Sequence, residues 1–196
     1  TEKEEFLKPI FFLLMTNNSI LVSKHLIETI AYLTDETVCE MVVSFASQVV
    51  NDEGANDPSF NYPMAIYTAL CLLDKCIDNI GIDDSTMPLY QKIISDGFEI
   101  NEIPIQIAAI SYTFHLTYVC KDDLGFGPVF PQSLALMQSL SGEQQILDLF
   151  NVFSNHCLNP SVQTKRGTYI LFPVAILISL KTLSLDLENL PLTFTL

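Results

Sequence analysis

Between Asp35 and Asn51, the apolar residues Val38, Met41, Val42, Phe45 and Val49 recur every three or four positions, and Glu36, Glu40, Ser44 and Ser47 fall on the opposite side. That spacing follows the turn of an α-helix, with one face set in a core and the other in water. Similar spacing runs through most of the chain. Period-two runs bounded by hairpin dipeptides are missing, so strands find little support. Such a chain is expected to be all-α.

Helix boundaries follow from the punctuation. Thr1 and Glu4 have capping-box spacing ahead of Phe6, Leu7, Ile10, Phe11, Leu13 and Leu14. Pro9 should kink this helix or mark its first turn. Asn17 and Asn18 break it, and Asn18 or Ser19 can cap a second helix that buries Val22, Leu26, Ile27, Ile30 and Leu33. Thr34 and Asp35 open the third. Residues 51–59, NDEGANDPS, read as a loop, and a helix over about 63–79 follows. Pro88 sits early in the next helix, which Gly97 should stop. Residues 101–121 are apolar nearly all round, with only Gln106, Thr113, Thr117 and Lys121 as a polar stripe, and are expected to form a central buried helix. A second loop spans 121–131. Two short helices and a last helix over about 165–183, bent at Pro173, bring the expected total to nine or ten.

Apolar residues make up 49% of the chain and charged residues 16%, enough to build a core and to leave apolar surface over for a partner or a second copy. The runs at 103–120 and 169–180 are better read as buried helices than as membrane spans, because the first holds Pro104, Gln106 and His115 and the second is short. The Glu-rich opening has no secretory-signal pattern. Five cysteines (Cys39, Cys71, Cys76, Cys120 and Cys157) lie in apolar helical patterns, which favours free thiols and an intracellular setting, nucleus or cytosol. The net charge of −14 at pH 7 disfavours direct nucleic-acid binding and suits a basic or amphipathic protein segment. Thr1 opens directly on a helical pattern and Leu196 closes on apolar residues, so 1–196 is expected to be a single helical domain taken from a longer protein.

The first 51 residues read as short helix, helix, longer helix, and this resembles an armadillo or HEAT repeat unit. Further units could span 60–121 and 131–183. The resemblance is architectural, carried by length and apolar spacing without a specific motif, and the units are longer than usual for such repeats. It implies a stacked helical array whose last helix in each unit lines a peptide-gripping surface. On that reading Glu36, Glu40, Ser44 and Ser47, with Gln106, Thr113 and Thr117, would lie near a groove. An irregular α-helical bundle is the alternative fold, and ordinary solvated helix faces are the plainer reading of both stripes.

Chemistry is harder to find. His115 reads as a core histidine with a hydrogen-bond partner. His156 and Cys157 are adjacent and so point about 100° apart on a helix, which disfavours a nucleophile–base pair. Metal-ligand spacings, phosphate-binding glycine loops and nucleophile elbows are missing, so neither metal nor cofactor is expected. The expected function is a non-catalytic protein-interaction scaffold or adaptor that presents an acidic helical surface to a peptide or helix of a partner protein. Two alternatives are a structural segment docking within a larger helical assembly, and a carrier holding an apolar ligand near Tyr112, His115 and Tyr118.

Overall fold

The computed structural model describes residues 2–51, 59–80, 82 and 84–119, together with 132, 133, 135, 136, 139, 140, 143 and 144. Six helices and no strand occur among them: α1 (Glu2–Thr16), α2 (Ile20–Tyr32), α3 (Glu36–Val50), α4 (Tyr62–Cys76), α5 (Met87–Glu99) and α6 (Ile103–Val119). The chain is all-α over these residues. The further helices expected beyond 121, and with them a count of nine or ten, lie outside the described residues, as do Thr1 and the His156–Cys157 pair.

Local chemistry explains where the helices start. Ser19, Asp35 and Asn61 each accept a hydrogen bond from a first-turn amide, of Val22, Val38 and Met64 respectively. Pro63 and Pro88 occupy first turns, where a missing N–H costs nothing. Pro9 is an exception: it lies inside α1, and the helix runs through it. Both Pro9 and Glu5, whose carbonyl loses its amide partner, are exposed, so water can satisfy the freed oxygen.

Successive helices run antiparallel. Lys3 in the first turn of α1 pairs with Asp35 at the start of α3 (2.5 Å) and donates to Leu33 O at the end of α2 (2.7 Å). At the other end, Asn61 N donates to Met15 O, and the Asn61 amide donates to Asn18 Oδ1. Thr34 and Cys76, 3.8 Å apart, bring the start of α3 to the end of α4. Hence α1 and α3 run parallel to each other and antiparallel to α4.

The centre of the fold is α4, which packs against all five other helices. Ten of its residues are buried, and its first charged residue is Asp74. The sequence expectation gave the centre to α6. That helix is as apolar, but it packs on α4 and α5 and leaves Ile103 and Pro104 exposed. Chain order decides between them: α4 has helices on both sides in sequence, and all of them reach it.

Two more expectations are corrected. In α2 the buried stripe is Ser23, Ile27 and Ile30, with Val22 41% exposed and Leu26 and Leu33 only half-buried. The helix is turned toward Ser23 because the Asn17 amide satisfies the Ser23 hydroxyl at 2.9 Å. Gly97 does not stop α5; it lies within the helix, and the chain there comes close to α4 and α6. The expected units 1–51 and 60–121 would hold α1–α3 and α4–α6, which pack on each other mainly through α4, while 131–183 falls largely outside the described residues.

Candidate functional site

The parallel pair α1 and α3 touches through Phe11 and Phe45, whose ring centres are 5.4 Å apart. Beside this contact the two helices line an open groove of about 410 Å³. Its floor is apolar: Phe11, Phe12, Met15, Met41 and Phe45. Glu4 and Lys8 edge it on the α1 side, and Thr37, Glu40, Ser44 and Gln48 on the α3 side. Phe12 stays 61% exposed, an unusual state for a phenyl ring at the mouth of a cleft.

Charge is unevenly spread along this groove. Lys8 pairs with Glu4 at 3.2 Å, and that contact holds the Glu4 carboxyl below its ordinary pKa. Lys3 and the Val38 amide do the same for Asp35. Glu36 and Glu40, one helical turn apart and both exposed, have no ion-pair partner among the described residues. Among the described residues, those lining the end near Met15, Ser44 and Gln48 carry no charge.

Of the residues expected at a binding surface, Glu40 and Ser44 line the groove, and Glu36 is exposed one turn before Glu40. Ser47 is half-buried and accepts from the Asn51 amide. Gln106 and Thr113 are elsewhere, turned into the interior. Thr113 is fully buried and donates to Ala109 O at 2.8 Å, and Gln106 donates to Phe98 O at 3.4 Å. A hydroxyl that bonds its own helix can face a core without a solvent partner, so this stripe does not mark a wet face. The side chain of Thr117 lies outside the described residues.

The chain was compared with family models, curated proteins and solved structures. None matches. The roles of its residues therefore rest on geometry alone. Sequence reasoning missed the α1 half of the groove (Phe12, Met15, Glu4 and Lys8). Phe12 is off the Leu7–Phe11–Leu14 stripe that α1 buries, and the parallel run of α1 and α3 puts it in one groove with Met41 and Ser44.

Titratable and nucleophilic groups outside the groove are accounted for by packing. Burial pushes the Cys39 thiol up to about 11 and the Cys71 thiol to about 12, and it also raises Cys76. Such thiols carry almost no thiolate at neutral pH, which removes their nucleophilicity. Tyr112 is packed edge-on against Tyr90 at 6.2 Å, deep in the core. Among the described residues no group of three or more His, Cys, Asp or Glu side chains gathers as a metal site would need. No helix there is long and apolar enough to cross a membrane.

His115 does have the partner expected of it. Its Nδ1 lies 2.6 Å from Asp74 Oδ1, joining α6 to α4 near their C-terminal ends, and Ser111 Oγ donates to the other Asp74 oxygen at 3.5 Å. Burial alone would lower the imidazole pKa, but the hydrogen bond and charge of Asp74, with the charge of Asp78, raise it above the ordinary value. A raised folded-state pKa stabilises the fold fully below the unfolded value of ~6.5, and the contribution is lost as pH rises through the folded value. Resistance to urea unfolding should therefore fall from pH 6 to 9 more in the native chain than in His115→Gln. With the ring 35% exposed, solvent screening limits the difference to about 1 kcal/mol. Parallel pH profiles for the two proteins would remove His115 from this role.

Proposed function

We propose that this chain is a non-catalytic protein-interaction scaffold or adaptor of the nucleus or cytosol that grips a segment of a partner protein in the α1/α3 groove. The observation that carries the reading is an apolar floor left open between two parallel helices and bordered by the carboxylate of Glu40, which has no ion-pair partner among the described residues. Apolar area supplies affinity in such a site, and the bordering charge supplies selectivity and rate. The surplus of carboxylates, −14 overall, turns nucleic acid away and favours a basic or amphipathic protein segment. Stacking of α1–α3 on α4–α6 through α4 would hold the groove rigid, in the manner of an armadillo- or HEAT-like array.

The test is affinity capture from cell extract on the immobilised full chain, with a Glu36→Lys/Glu40→Lys variant alongside. Near-stoichiometric capture of one or two proteins by the native chain, reduced at least tenfold on the variant, is the expected result. Equal capture by both would sink the groove as the binding surface. A second reading, a segment that docks within a larger helical assembly, draws on Phe6, Leu21 and Tyr32, which are 66%, 64% and 91% exposed. Self-association in sedimentation, abolished by Phe6→Ser and Leu21→Ser, would favour that reading instead.

A further inference from the structure

We infer that the groove takes an amphipathic helix of about three turns, laid antiparallel to α1 and α3, with Lys or Arg in its last turn against Glu36 and Glu40. The inference rests on the groove being an interaction surface and specifies what occupies it.

Length comes first. The groove follows α1 from Glu4 to Met15 and α3 from Thr37 to Gln48. At 1.5 Å per residue each wall is roughly 16 Å long, which is about three turns of a third helix. Backbone chemistry favours that occupant over an extended strand. Both walls are helices whose amides and carbonyls, the Glu5 carbonyl opposite Pro9 apart, bond along their own helix, so there is no sheet edge to pair with. An extended peptide would leave its own N–H and C=O groups over Phe12 and Met41 with few partners, whereas a helix satisfies them internally. A helix presenting apolar side chains at i, i+4 and i+7 fits the apolar floor. Met15 and Met41 lend that floor the adaptability of unbranched thioethers, which tolerates variation in those side chains.

Direction follows from charge. Acidic residues cluster where α1 and α3 begin: Glu2, Glu4 and Glu5 in the first turn of α1, and Asp35, Glu36 and Glu40 at the start of α3. Lys3 and Lys8 already serve Asp35 and Glu4. Glu2, Glu5, Glu36 and Glu40 remain, and of these Glu40 lines the groove with Glu36 one turn before it, like charges at i and i+4 that repel each other until a cation comes between them. At the far end the described lining residues, Met15, Ser44 and Gln48, offer no charge. A ligand helix with basic residues in one terminal turn therefore seats that turn over Glu36 and Glu40. Cations are most favourable in the last turn of a helix, where they meet its negative half-dipole. That same end also faces the positive half-dipoles at the starts of α1 and α3. Charge and dipole select one orientation: the ligand's C-terminus at the N-terminal ends of α1 and α3.

The test is selection on the full chain from a randomised display library of peptides of roughly twelve residues, about three turns. Selected peptides are then measured by fluorescence anisotropy and by NMR of the methionine methyl groups. Enrichment of peptides with apolar i, i+4, i+7 spacing and a basic C-terminal turn is expected. Their affinity should fall at least tenfold on Glu40→Lys and on Met41→Gln, and tenfold when the basic residues are moved to the N-terminal turn. A spin label on the peptide N-terminus should broaden the Met15 methyl, and one on the C-terminus the Lys8 and Glu36 amides. The opposite pattern overturns the orientation. Enriched peptides that are extended, proline-bearing or acidic, yet lose binding on the two groove variants, overturn the inference and leave the interaction reading standing. Binding insensitive to both variants, or no enrichment, overturns both. Self-association of the chain that disappears on Glu40→Lys would assign the groove to a second copy and overturn the inference as well.

Discussion

Leu70→Ala is expected to lower the unfolding free energy by about 2–5 kcal/mol, and adding Gly97→Ala to it is expected to return part of that loss. Leu70 is fully buried on α4, at the centre of the fold. Its tip explains why residue 97 is a glycine. A Cβ at Gly97 would lie 2.8 Å from Leu70 Cδ1 and 3.0 Å from Ala109 Cβ, with Ile66 Cγ2 at 3.7 Å. Inside a helix, Gly→Ala ordinarily gains up to about 1 kcal/mol. Here the added methyl meets a leucine tip that can rotate and an alanine methyl fixed to the backbone of α6. Overpacking of that kind costs roughly 1–3 kcal/mol. Gly97→Ala alone should therefore be neutral to about 2 kcal/mol destabilising. Once Leu70 is truncated, the same methyl enters vacated space and the helix-propensity gain returns. The double variant should be more stable than the sum of the singles by at least ~1 kcal/mol, read from urea denaturation of all four proteins. Strict additivity would mean that α5 shifts freely away from α4 and α6 at this crossing, and the close approach would no longer explain the glycine.

This same residue shows what a sequence reveals and what it hides. Gly97 looked like a helix stop because local rules treat glycine as punctuation, yet its position is dictated by side chains 27 residues earlier and 12 later, at Leu70 and Ala109. Local signals were legible where a residue acts on its own neighbours: Ser19 and Asp35 cap, Pro63 and Pro88 start, and of the expected α3 stripe Val38, Val42, Phe45 and Val49 are buried, while Met41 is half-buried and lines the groove. They failed where a polar side chain finds a partner inside. Ser23 is buried because Asn17 reaches it, and Thr113 because its own helix accepts its proton, so polarity alone misplaced the faces of α2 and α6. The groove was half legible for the same reason. Glu40 and Ser44 follow from the period of α3, but Phe12 and Met15 join them only because α1 runs parallel to α3, a fact of tertiary topology.

Asp96→Ala is expected to cost roughly 2 kcal/mol, and Asp96→Asn about half as much. Asp96 is only 6% exposed, near the end of α5. It accepts a hydrogen bond from the Tyr62 hydroxyl at 2.8 Å and pairs with Lys92 one turn earlier. The carboxylate thus ties the first residue of α4 to the last turns of α5. Hydrogen bonds to a charged group contribute about 1.5–3 kcal/mol, and a fully buried ion pair broken on one side costs more. Lys92 is 55% exposed, so its ammonium regains water when Asp96 is removed, and the loss stays below the fully buried case. Asparagine keeps an oxygen for Tyr62 and gives up only the charge. Urea denaturation of Asp96→Ala, Tyr62→Phe and the double variant measures the tie directly. A coupling near zero would reduce it to a surface contact. Because the described residues that line the groove all belong to α1 and α3, Asp96→Ala should bind a groove peptide as the native chain does at temperatures where both remain folded. A fall in affinity there would mean that the packing of α5 on α4 sets the spacing of α1 and α3, and that the walls of the groove are held from behind by the core.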